Sequence, residues 1–214
     1  IGRIKKSKKI NKIILCTTNK NEDNKLIKIA KKNNIEYFKG PTDNVLQRMV
    51  ESIKKIKTDL IVRVTGDDIL IDPTYLDLTI ESHLTKNLEY SNNKKLPSET
   101  EVELFDKELL NSIYVLAKDS SGTEYLTYYI DRYKNQFATG TYEVLKKHQK
   151  KIRLTIDTPK DFKVVSNFLN KMKKKGKLFN YDMDDICNFE RKNKKLFKQK
   201  KITNKKIQVN TDFQ

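Results

Sequence analysis

Short β-branched runs and helical stripes alternate along this chain from residue 12 to about residue 172. Lys12-Ile13-Ile14-Leu15-Cys16-Thr17-Thr18 holds its apolar residues in succession, the pattern of a strand covered on both faces, with Cys16 in the core. Turn residues at 19–23 follow, then a helical face of Leu26, Ile29 and Ala30 that runs out near Asn33. Residues 35–38 read as a second strand, closed by Gly40 and Pro41. Across 44–56, Val45, Leu46, Met49, Val50, Ile53 and Ile56 recur at the spacing of one helix face. A third strand spans 59–65 and stops at Gly66-Asp67-Asp68. Asp72 is a helix N-cap with Pro73 at the first helical position, and Leu76, Ile80 and Leu84 form the predicted buried stripe.

The second half continues the alternation. Strands are predicted at 88–91 and 101–105, helices at 106–118 and 122–133, and a last strand at 151–156 that ends on Asp157. Thr158 then caps a helix that Pro159 opens and that Phe162, Val165, Phe168, Leu169 and Met172 line. Strands alternating with helices mean an α/β fold with a mostly parallel sheet and helices on both faces. No internal repeat or linker divides it, so one domain is expected over 1–190, followed by a basic C-terminal helix and frayed tail over 191–214.

Composition narrows the function classes. The 214 residues carry a net charge of +17, with a mean hydropathy of −0.74. No apolar run approaches the 18 or so residues of a membrane-spanning helix. Two cysteines, Cys16 and Cys187, exclude a disulfide scaffold and suit a reducing cytoplasm. His83 and His148 are the sole histidines, which leaves little for histidine-based chemistry. The positive charge is mostly lysine beside abundant Asn and Ile, and it reads as a solvated surface rather than a nucleic-acid face. Nothing among the six glycines forms G-x-G-x-x-G or a Walker loop.

In open α/β sheets, ligands bind at the carboxyl ends of strands. Asp67 and Asp157 each follow a predicted strand, and paired carboxylates at such ends are what a Mg²⁺–triphosphate site requires. Turn or helix-cap roles account for the same two residues equally well on spacing alone.

The stretch 62–73, VRVTGDDILIDP, resembles the R-x-T-G-D-x-P-L-I-D-P signature of the cytidylyltransferases that activate acidic sugars. The nearest branch is that of spore coat polysaccharide biosynthesis protein F-like enzymes, related to the acylneuraminate and Kdo cytidylyltransferases. Further blocks agree in order. Residues 40–48 resemble G-x-x-D-D-V-L-x-R, 101–105 resemble D-V-E-V-F, 121–130 resemble S-x-x-E-H-V-T-P-Y-I, and 153–162 resemble R-W-T-V-D-T-P-E-D-F.

The resemblance implies a Rossmann-like nucleotidyltransferase fold and transfer of CMP from CTP to a sugar, an acidic one in the family pattern, in surface-polysaccharide biosynthesis. It implies Mg²⁺ on Asp67 and Asp157, with Arg63 beside them in the catalytic group. It places Arg48, Asn92, Glu103, Glu124, Tyr125 and Thr127 on the substrates, and it implies a homodimer. Departures from the pattern include Ile69 for a proline, Asn44 for an aspartate, Tyr125 for a histidine, Tyr128 for a proline and Glu99 for a glycine. The family's first strand and its A-R-x-x-S-T-R-L-P-G-K loop have no counterpart, and residues 1–9 resemble the end of the helix after that loop. A chain lacking them is expected to bind CTP poorly. The alternatives are a non-catalytic relative acting as a partner subunit, and a nucleic-acid-binding protein using the basic residues beyond Arg191.

Overall fold

The computed structural model of the protein describes residues 1–117 and 126–197. Along them run β1 (Ile14–Thr18), α1 (Asn24–Lys32), β2 (Glu36–Gly40), α2 (Val45–Ile53), β3 (Leu60–Arg63), α3 (Pro73–Thr85), β4 (Tyr90–Asn92), β5 (Glu103–Asp106), α4 (Lys107–Leu116), α5 (Thr127–Arg132), β6 (Thr139–Thr141), α6 (Pro159–Lys174) and α7 (Met183–Lys192). The helix starts are set by side chains that satisfy first-turn amides. Asn44 accepts from the amide of Gln47, and Asp72 from those of Thr74 and Tyr75. Thr158 with Asp161, and Asp182 with Asp185, form capping boxes at α6 and α7.

The α/β alternation is as expected, but the pairing is mixed rather than mostly parallel. β1 and β2 form a parallel pair of their own, while the other four strands lie in the order β3-β5-β4-β6. β5 runs antiparallel to both its neighbours, and β4 and β6 are parallel. The connections explain this. A parallel neighbour needs a long crossover, usually a helix, whereas the loop between β4 and β5 contains none, so β5 returns antiparallel.

Helices cover the sheets in three apolar clusters. α2, α4 and α5 meet through Leu46, Met49, Leu110, Ile113 and Tyr129. α6 and α7 interlock through Val165, Phe168, Met172, Ile186 and Phe189. Leu76 and Ile80 of α3 pack on Val102 and Leu104. Between β1 and β3, a cleft of about 1890 Å³ separates the two sheets, and among the described residues no strand lies across it.

That cleft accounts for several departures from the predicted burial. β1 is half-covered rather than buried on both faces, and Cys16 is exposed in the cleft wall instead of lying in the core. Leu84, expected in the buried stripe of α3, is 56 % exposed and lines the same cleft, as do Leu26 and Ile29. On α6 the buried face is shifted by packing against α7, so Val164 is covered and Phe162 is 60 % exposed.

Three element assignments also change. The strand predicted at 151–156 is a single bridge, Ser98 to Arg153, because the segment turns its side chains into a carboxylate cluster. β6 is not predicted by the sequence pattern, because Thr139-Gly140-Thr141 has no apolar alternation. It is placed by β4, with Gly140 packed so that an added Cβ would lie 2.5 Å from Leu88. α7 starts at Met183 and ends at Lys192, earlier than the last helix expected from residue 191, and residues 194–197 form turns; residues 198–214 lie outside the described ones.

Candidate functional site

Asp67 sits in the turn that follows β3, where the Ile69 amide donates to its carbonyl at 3.0 Å. Asp157 lies immediately before the N-cap of α6, 90 residues later. The tertiary fold brings them to one hydroxyl. Thr155 Oγ1 is 3.4 Å from an Asp67 carboxylate oxygen and 3.1 Å from one of Asp157. A threonine hydroxyl has a single proton to donate, so the two carboxylates converge on a donor that can satisfy one of them at a time. Arg153 pairs with Asp157 and approaches Asp161 at 3.6 Å, which orients Asp157 from behind. Two converging carboxylates are a hard-oxygen donor set, enough for a divalent cation that takes its other ligands from phosphate and water. Among the described residues no group of three or more His, Cys, Asp and Glu is arranged to hold a metal.

The other expected residues divide. Arg63 and Glu103 face each other across the β3–β5 pair and are joined at 2.5 Å, both largely covered. Tyr90 donates to the second oxygen of Glu103 at 3.1 Å, and burial with that neighbouring charge pushes its phenol pKa up. Asn92 is 5 % exposed and its carbonyl oxygen accepts from the Lys94 amide and from Thr141. Arg48 lies on the opposite side of the cleft, donating to the Pro41 carbonyl at 2.7 Å. Arg48, Arg63, Asp67, Asn92 and Glu103 thus line one cleft. Glu124 and Tyr125 lie outside the described residues; Thr127 opens α5.

Three carboxylates that the sequence reading passed over share this cleft: Asp68, Glu99 and Glu101. The signal was present, since Glu99, Glu101 and Glu103 recur at every second position, as residues on one face of an extended segment do. Asp68 accepts from the Thr65 hydroxyl through one oxygen, while its other oxygen is buried with no donor. Burial first, then Glu99 and Asp67 beside it, lift its pKa to about 7. Burial and the charge of Glu99 likewise push Glu101 up to about 8, against the opposing influence of Lys94.

Both shifts have the same sign, so their effect on stability can be stated. The folded state keeps protons that the unfolded chain releases between pH 4 and 5, and the stability these groups contribute is full below that range. Thermal melting of the cation-free protein is therefore expected to shift to lower temperature as pH rises from about 5 to about 8; a melting temperature that climbs across this window would contradict the assignment. Glu99 also adopts a left-handed backbone, φ +69°, a region that favours glycine. Glu99→Gly removes both the steric strain and one repelling charge, and is expected to stabilise the fold by about 1 kcal/mol in denaturant titration.

A mixed α/β fold with two aspartates converging on one hydroxyl, one of them at a cleft after a strand end, is compatible with a nucleotide-binding α/β protein. Comparison with known proteins makes this specific. The profile of the cytidylyltransferase family matches residues 1–206, and the chain belongs to that family. It is 34 % identical over 196 residues to the uncharacterised protein MJ1063 of Methanocaldococcus jannaschii, covering 90 % of this chain and 78 % of that protein. It is 27 % identical over 161 residues to the spore coat polysaccharide biosynthesis protein SpsF of Bacillus subtilis, covering 74 % and 67 % respectively. A solved cytidylyltransferase from Leptospira borgpetersenii superposes with a TM-score of 0.83 at 27 % identity, over 94 % of this chain and 84 % of that one. A CMP:2-keto-3-deoxy-manno-octonic acid synthetase complexed with CTP shares the fold, with a TM-score of 0.55 at 12 % identity over 79 % and 85 %.

Proposed function

We infer that this protein transfers CMP from CTP to a sugar, releasing pyrophosphate, in the biosynthesis of a surface polysaccharide. The observation that carries the reading is the convergence of Asp67 and Asp157 on the Thr155 hydroxyl, with Asp67 itself lining the cleft. Membership in the cytidylyltransferase family and the likeness to SpsF support it.

Asp67 and Asp157 are the residues that would hold Mg²⁺, which when bound neutralises phosphate charge as it develops in the transfer. The chain's own residues do the positioning. Arg153 and Thr155 orient Asp157, so its carboxylate is aimed before substrates arrive. Arg48 lines the cleft on the β2–α2 side, where a guanidinium supports a triphosphate by charge and hydrogen bonding. Arg63 is held by Glu103, and this pair fixes the wall between nucleotide and sugar rather than leaving a cation at large. The sugar hydroxyl forms a new bond to the α-phosphorus, loses its proton, and the bond from the α-phosphorus to pyrophosphate breaks. Among the described residues no helix is long and apolar enough to cross a membrane. CTP as a substrate supports a cytoplasmic location.

The test is pyrophosphate release by the purified protein with CTP, Mg²⁺ and a panel of acidic, neutral and amino sugars. Release that depends on one sugar class supports the reading. No release with any sugar would remove it and favour a non-catalytic partner. Sedimentation of the same preparation reads the homodimer that the family likeness implies.

A further inference from the structure

The two aspartates are carried by segments that meet at more than one point. The stretch from Asp67 to the first turn of α3 lies against residues 145–157, in the opposite chain direction. At one end Asp67 meets Thr155 at 3.4 Å. Eight residues further along the first segment and seven back along the second, Tyr75 Oη meets His148 Nδ1 at 2.7 Å. Between the two contacts, Leu70 and Leu154 are buried in one apolar cluster, to which Tyr75 also belongs. Tyr75 and His148 are each only 6 % exposed, and neither lines the cleft.

Counting protons fixes the direction of this buried contact. The Lys147 ammonium, then His148, hold the Asp184 carboxyl below its ordinary pKa, so it is ionised and can only accept. It does so from Lys147 at 2.7 Å and from His148 Nε2 at 3.0 Å, which places a histidine proton on Nε2. Burial raises the pKa of Tyr75, so the phenol keeps its proton. Its oxygen already accepts the Leu145 amide at 3.3 Å, and its own proton goes to His148 Nδ1. Every polar atom of the trio is then satisfied.

A pair of carboxylates binds a divalent cation only if both point at one position. Before the cation arrives, their mutual repulsion works to part the segments that bear them. Thr155 opposes this weakly, because its one proton serves one carboxylate at a time. The Tyr75–His148 bond lies out of water, where a hydrogen bond is stronger, and the Tyr142 ring packs edge-on against Tyr75.

We propose that His148 is a positioning residue for the cation site. By taking the Tyr75 proton it fixes the segment bearing Asp67 against the one bearing Asp157, and keeps the two carboxylates converged. This rests on the reading of Asp67 and Asp157 as the cation ligands.

Mn²⁺ binding to the full chain without nucleotide, followed by electron paramagnetic resonance of the free ion, tests it. His148→Ala and Tyr75→Phe are each expected to weaken binding about fivefold, less than removal of a group that touches a ligand directly. The two changes together should be no worse than His148→Ala alone, since both break one bond. His148→Asn, whose side-chain oxygen can accept from Tyr75, should recover affinity to within about twofold while still losing the Asp184 contact. Melting curves on the same variants separate stability from positioning: His148→Asn should melt below the parent yet bind Mn²⁺ nearly as well. Affinity unchanged in both His148→Ala and Tyr75→Phe, or His148→Asn as weak as His148→Ala, would overturn the proposal. Asp67→Asn is the control for the underlying reading. Binding that it leaves intact, or none by the parent, removes the cation site itself and this role with it.

Discussion

Asp67→Asn is expected to lower pyrophosphate release by about 10³-fold or more, with the fold at least as stable as the parent. The change is isosteric, so packing around the turn after β3 is kept. What it removes is one of two anionic oxygen donors aimed at a common point, and a neutral amide oxygen is a much weaker ligand for a hard cation. Asp157 cannot compensate, because Arg153 already draws on its charge. Stability should not fall, since the Asp67 charge helps to raise the pKa of Asp68 by repulsion. Loss of that repulsion is the usual exchange of function for stability at a strained polar site. Steady-state release assays together with a melting curve read both halves. Activity within tenfold of the parent would show that Asp67 is turn chemistry and nothing more.

Arg3→Ala should destabilise the protein by about 3 kcal/mol, enough to lower the melting temperature by roughly 6–12 °C at this chain length. Arg3 is almost wholly covered, and burial lowers its pKa against the pull of Asp72 and Asp182. Its guanidinium donates to the Ile71 carbonyl at 2.8 Å, the Phe179 carbonyl at 3.2 Å and the Tyr181 carbonyl at 2.5 Å. It also stacks 3.7 Å over the Tyr181 ring. Truncation leaves the buried Ile71 and Tyr181 carbonyls and the part-buried Phe179 carbonyl without this donor, and opens a gap between the start of α3 and the segment that leads into α7. Arg3→Lys is expected to recover less than half of the loss, because one ammonium cannot span three carbonyls in the plane of a guanidinium. Denaturant titration of both variants checks this, and a change under about 0.5 kcal/mol for Arg3→Ala would contradict the clamp.

Arg3 shows where sequence reading stops. Nothing local distinguishes it from the surface cations around it, since the partners that define it lie 68 to 178 residues away. Arg63 is similar. The family resemblance puts it beside the two aspartates, and only the β3–β5 register shows that it pairs with Glu103. Cys16 and Leu84 failed in the other direction. Each sits in an apolar pattern that normally marks core, and each is exposed because a cleft runs between β1 and β3. The carboxylates at 99 and 101 were visible as an alternating series, but a solvated strand face has the same pattern. The starts of α3 and α6, by contrast, were legible to the residue. Asp72 and Thr158 cap amides two or three positions away, so the chemistry is complete within one turn of chain.

Local order was therefore the sequence's to determine: the alternation of strands and helices, the caps, and the placing of Asp67 and Asp157 at the ends of extended segments. Each depends on interactions within a few residues or on one face of one element, and both are written in periodicity. The tertiary structure decided what faces what. It set β5 antiparallel between β3 and β4, brought two aspartates 90 residues apart onto Thr155, engaged Arg63 with Glu103 and left a wall of carboxyl groups beside the cleft. Those pairings follow from how covered faces pack against one another over long chain separations, and no single segment contains that information.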